Sequence, residues 1–87
     1  MKAVELELDD RREIWTILKR MTPGQRIDFV RWCCRQVNGP DRVSQVFVTS
    51  HTGTTDEAYR DLMHLEIAFH LDLKEALKYL EGVARRL

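Results

Sequence analysis

Two cysteines stand side by side at Cys33 and Cys34, and three histidines lie at His51, His64 and His70. A thiolate activated by an imidazole, or a metal held by sulfur and nitrogen, is the chemistry such residue types could do. Their spacing supports neither. Neighbours on a helix point about 100° apart, so adjacent thiols chelate poorly. A bridge between sequence neighbours closes a strained ring, and no other cysteine is present to pair with. Zinc sites place two to four residues between cysteines, and no second such pair occurs. His64 and His70 are six apart, separated on a helix by about two-thirds of a turn. A dyad of Cys33 or Cys34 with a folded-back histidine lacks, by sequence, both an orienting third group and an oxyanion hole. Ser50-His51 is no stronger. Glu66 and His70, four apart, can pair on one helical face, a surface contact of little worth. The glycines at 24, 39, 53 and 82 are isolated, so no loop cradles a phosphate. These residues predict reduced thiols in a cytoplasmic protein, with no catalytic residue, metal or cofactor.

Recognition is a better use of the polar residues. Arg31, Trp32 and Arg35, with Gln36 nearby, form a basic and aromatic edge on one predicted helix. Arginine and tryptophan are enriched at binding hot spots, which makes these three the candidate partner-binding residues. The plain alternative is that Trp32 completes the core from its flank and the arginines are merely solvated.

The octet Glu66-Ile67-Ala68-Phe69-His70-Leu71-Asp72-Leu73 resembles the first half of a bacterial helix-turn-helix. Ile67, Ala68, Leu71 and Leu73 match its packing positions. The resemblance implies a second helix entering the major groove, with Lys74, Lys78, Tyr79, Arg85 and Arg86 as nucleic-acid contacts. It departs from the motif in two places. Asp72 replaces the turn glycine, a substitution that a left-handed Asp would accommodate, and Lys78 falls at the next core position. Glu75 and Glu81 would also repel phosphate, so two packed helices meeting at a capped bend is the preferred reading.

The composition agrees with that preference. Eighty-seven residues carry 14 basic and 14 acidic side chains and no net charge. Bulk nucleic acid or an anionic membrane wants a basic excess. No apolar run approaches the roughly 20 residues that span a bilayer. A chain this short makes one domain, residues 1–87, with a modest core that self-association or a partner would help to stabilise.

The elements follow from periodicity. From Thr54 to Leu87 apolar residues recur in steps of three and four at Leu62, Leu65, Phe69, Leu73, Ala76, Leu80, Val83 and Leu87. A second row, Met63, Ile67, Leu71, Leu77 and Ala84, widens this stripe beyond what a lone helix can hide. Thr54 with Glu57 and Asp72 with Glu75 read as capping boxes, which favours two helices broken at Leu71-Asp72 over one long helix. Thr22-Pro23-Gly24-Gln25 opens a further helix reaching about Val37, where Asn38-Gly39-Pro40 stops it. Its expected buried face is Ile27, Val30, Cys34 and Val37, flanked by Phe29 and Cys33. Before it, a helix runs from about Asp9 to Met21 with Ile14, Trp15, Leu18 and Met21 facing inward. Residues 3–8 alternate apolar and acidic side chains and read either as a strand or as the first turns of that helix. Residues 41–53 read as a short helix sharing Val43, Val46, Phe47 and Ser50 on one face, or as a strand at 46–49.

The expected fold is all-α, a compact bundle of four or five helices with room for one or two short extended segments. The expected function is a non-enzymatic interaction module that self-associates, as a homo-oligomer, or docks a protein partner through helix faces. A helix-turn-helix DNA-binding domain is the alternative.

Overall fold

The structure is a computed structural model and describes residues 2–38 and 52–87. Among these residues it is all-α, with four helices and no strand: α1 Lys2–Arg20, α2 Pro23–Asn38, α3 Thr55–Phe69 and α4 Leu73–Ala84. Of the two readings of residues 3–8, the helix holds. Those residues contain no glycine or proline to interrupt a helix. The expected short helix or strand within 41–51 lies outside the described residues, as do Gly39-Pro40 and His51.

The starts of α2, α3 and α4 are each set by a side chain that satisfies free backbone amides. Before α2, the Gln25 amide donates to Thr22 Oγ1 at 3.1 Å, and the Thr22 amide donates to Gln25 Oε1 at 2.8 Å. This reciprocal box places Pro23 at the first helical position, where its missing N–H costs nothing. Before α3, Thr54 Oγ1 accepts from the Glu57 amide at 3.1 Å. The return arm goes elsewhere: Glu57 Oε1 accepts from the Thr52 amide at 2.9 Å and from the Thr52 hydroxyl.

The break expected near Leu71-Asp72 is present. Asp72 Oδ1 accepts from the amides of Lys74 at 3.0 Å and Glu75 at 3.4 Å, opening α4. The left-handed residue of the turn is His70 (φ 59°, ψ 38°), whereas Asp72 is extended (φ −80°, ψ 105°). This corrects the expectation that Asp72 would replace a turn glycine. Asp72 is needed as an N-cap, and N-caps take β-region backbone. The amides of His70 and Leu71 bond back to the carbonyls of Glu66 and Leu65 and close α3.

One contiguous core joins all four helices. α1 contributes Ile14, Ile17, Leu18 and Met21, and α2 contributes Phe29, Val30, Cys33 and Cys34. Ala58, Leu62 and Leu65 come from α3, then Leu73, Ala76, Leu77 and Leu80 from α4, with Leu71 in the turn between. α3 lies against α2 and α1, and α4 lies against α1.

Several orientations differ from expectation. Trp15 is half-buried at an edge, and Ile17 takes the core place, because 14, 17, 18 and 21 lie on one stripe while residue 15 falls about 100° away from residue 14. On α2 the buried set is centred on Phe29 and Cys33, with Ile27 and Val37 only half-buried. α2 is covered on two sides, by α3 and by Tyr79 of α4, and that pulls its flank inward. Ile67, counted in the second apolar row, is 77% exposed. It stands two residues from buried Leu65, about 200° round the helix. Phe69, Val83, Met63 and Ala84 are half-buried, and Leu87 is exposed beyond the end of α4.

Candidate interaction surface

A three-ring ladder ties α2 to α4. Trp32 stacks on Tyr79 with ring centroids 4.2 Å apart and planes 16° apart. Phe29 stands 6.3 Å from Trp32 and 6.0 Å from Tyr79, nearly parallel to both. Phe29 and Trp32 meet because residues three apart share a helix face. Tyr79 reaches them from α4 while staying 39% exposed. The ladder shows how Trp32 sits: it is partly covered within the chain by Phe29 and Tyr79. Arg31 and Arg35 are exposed on either side of it along α2. Arg31 faces Asp28 at 3.9 Å, one turn back, at a surface where such a pair contributes little.

Beside the ladder lies a groove of about 310 Å³, lined by Trp32, Gln36, Phe69, His70, Asp72 and Glu75, among others. It forms where the C-terminal part of α2 passes the turn between α3 and α4. Two carboxylates line it and no lysine or arginine does.

A second groove, of about 470 Å³, is lined by Arg11, Arg12, Trp15, Thr16 and Tyr59. Trp15 meets Tyr59 edge-on, with centroids 5.3 Å apart and planes at 86°, a favourable arrangement for two ring quadrupoles. Arg11 Nη2 donates to Glu66 Oε1 at 2.9 Å, pinning α1 to α3 beside this groove. The sequence places Trp15 in the core and gives no role to Tyr59 or Arg11. The contact spans two helices far apart in sequence, and the one signal for it is the offset of Trp15 from the 14-17-18-21 stripe.

The residues first considered for chemistry are placed as follows. Cys33 and Cys34 are both buried and unbridged. Burial pushes the Cys33 thiol well above its usual range, aided by Cys34 beside it. Burial, then the negative charge of Asp61, pushes Cys34 up to about 11, against a small opposing effect of Arg35. Thiols held in that direction are poor nucleophiles at neutral pH. The pairing open to Glu66 and His70 is not used: Glu66 takes Arg11, and His70 has left the helix into its left-handed cap. His64 stands edge-on to Phe69 at 6.1 Å. Among the described residues no group of three His, Cys, Asp or Glu side chains is arranged to hold a metal.

Of the residues considered for nucleic acid, Lys74, Lys78, Arg85 and Arg86 are exposed, and Tyr79 is engaged in the ladder. No helix among the described residues is long and apolar enough to cross a membrane. No protein-family model matches this chain, and no curated protein or solved structure is significantly similar to it.

Proposed function

We propose that this chain is a non-enzymatic helical interaction module that docks a protein chain, its own copy or another, through the α2–α4 face around Trp32. Arg31 and Arg35 flank the contact and Tyr79 backs it. The observation that carries this reading is the Trp32–Tyr79 stack beside a groove. A tryptophan already held in place loses little side-chain freedom on binding, so more of its contact energy appears as affinity. The two buried thiols suit a reducing compartment, and the cytoplasm is the proposed location.

Native sizing of the tagged full chain in extracts of its host tests this. The wild-type chain should migrate as a complex larger than its 10.3 kDa. A variant with Trp32→Ser should migrate as a monomer while keeping its helical circular dichroism. A monomeric wild type, or a variant that stays in the complex, overturns the reading.

One observation favours the alternative, a helix-turn-helix DNA-binding domain. α3 and α4 are joined by three residues, a helix-turn-helix length, and Lys74, Lys78, Arg85 and Arg86 are exposed on or just after the second helix. That reading requires a mobility shift with duplex DNA at low salt that weakens as salt rises. No shift at low salt removes it.

A further inference from the structure

The two grooves are lined by charged side chains of opposite sign, Arg11 of one being already paired with Glu66. Asp72 and Glu75 line the groove beside Trp32 and Phe69, with no lysine or arginine among its lining residues. Arg11 and Arg12 line the groove beside Trp15 and Tyr59, with no acid among its lining residues. The two share no residue, and the chain as a whole has no net charge. We propose that a second copy of this chain occupies them: the basic groove of one copy docks on the acidic groove of the next, head to tail. This rests on the reading of the α2–α4 face as an interaction surface and adds its occupant.

Four physical points favour this pairing. Either groove set against itself would bring two cations or two anions face to face, which opposes a two-fold contact made by like grooves. Zero net charge leaves little long-range repulsion between copies, so the local complementarity is felt. Arginine also suits such a site, since its planar guanidinium pairs with a carboxylate and stacks on an aromatic face. Arg11 is pre-positioned by Glu66, and Asp72 is fixed by its capping bonds, so part of the ordering cost is met before association. Arg12 and Glu75 are exposed and supply the pair that a substitution can reverse.

Sedimentation equilibrium of the purified full chain tests the proposal. The wild-type mean mass should rise above 10.3 kDa as concentration approaches about 500 µM in low salt, and fall back as salt screens the charges. Glu75→Lys and Arg12→Glu, each alone, place like charges across the contact and should weaken association at least about tenfold. An equimolar mixture of the two variants should regain it, because each reversed groove then meets its opposite on the other variant. A wild type that stays monomeric throughout overturns the proposal. So do single variants that associate like the wild type, or a mixture that stays monomeric while the wild type associates. A purified chain that is monomeric, yet runs in a Trp32-dependent complex in extracts, sinks this inference and leaves the broader reading standing.

Discussion

Trp32 of α2 and Tyr79 of α4 stack with their ring centroids 4.2 Å apart, and this contact joins the two helices at the α2–α4 face. It sets Tyr79 against Trp32 while leaving Tyr79 39% exposed. Offset aromatic pairs contribute about 0.5–1.5 kcal/mol beyond the area they bury. Tyr79→Ala should therefore cost about 1–2 kcal/mol in urea denaturation, and the Trp32 indole should become more accessible to acrylamide. A Tyr79→Ala protein as stable as wild type, with Trp32 quenched to the same degree, would show that the stack has no role.

Arg26 is the second joint of the fold. Its guanidinium donates to the carbonyls of Leu18 at 2.6 Å, Lys19 at 3.3 Å and Gly53 at 2.8 Å, tying the end of α1 to the loop that enters α3. Charge-assisted bonds of this kind are worth about 1.5–3 kcal/mol where one partner is lost. Arg26→Ala should lower stability by about 2–3 kcal/mol, and Arg26→Lys should recover only part, since an ammonium lacks the planar fork. Thermal denaturation of the three proteins checks the order.

The glycines separate cleanly. Gly53 has φ +83°, and a Cβ there would stand 2.6 Å from the Pro23 carbonyl oxygen. Gly53→Ala meets both a left-handed backbone and a backbone wall, and should cost about 3 kcal/mol. Gly82 lies inside α4, and a methyl group added there would meet nothing within 4 Å. Gly82→Ala should stabilise by about 0.5–1 kcal/mol through helix propensity. Chemical denaturation should move the two midpoints in opposite directions.

The helices are largely legible from the chain because their ends are written in side chains. Thr22-Pro23-Gly24-Gln25, Thr54 with Glu57, and Asp72 all cap where their types suggest, which local chemistry alone decides. The candidate surface is legible only in part. Arg31, Trp32 and Arg35 fall on one helix and can be grouped from the sequence. The rings that meet the two tryptophans, Tyr79 for Trp32 and Tyr59 for Trp15, arrive from other helices, and no local pattern pairs rings 47 or 44 residues apart. The orientations of Ile67 and Trp15 escape the periodicity for a related reason: a wide apolar stripe does not say which edge the neighbouring helix covers.

Glu13 on α1 gives the fold an acid-side dependence. Its carboxyl is held above the usual glutamate range, first by a hydrogen bond with the Glu81 side chain, then by slight desolvation, then by the negative charges of Glu81 and Asp10. The folded chain therefore binds this proton more tightly than the unfolded chain. The contribution is present below the unfolded pKa and is lost as pH rises through the raised value, leaving carboxylates in repulsion at neutral pH. Glu13→Gln should raise the melting temperature near pH 7 and lose that advantage near about pH 4. The effect is small because the site is exposed. Equal melting shifts at both pH values would contradict the assignment.

Coverage of the α2–α4 face by another protein chain, when the molecule works, is the condition on which the proposed function stands. The most direct measurement is photo-cross-linking in the host from a reactive amino acid in place of Arg35, with the same group in place of Arg60 on the exposed side of α3 as the comparison. A protein adduct should form from position 35 and be abolished by Trp32→Ser, with much less forming from position 60. No adduct from position 35, or equal adducts from both, would contradict the proposed docking face.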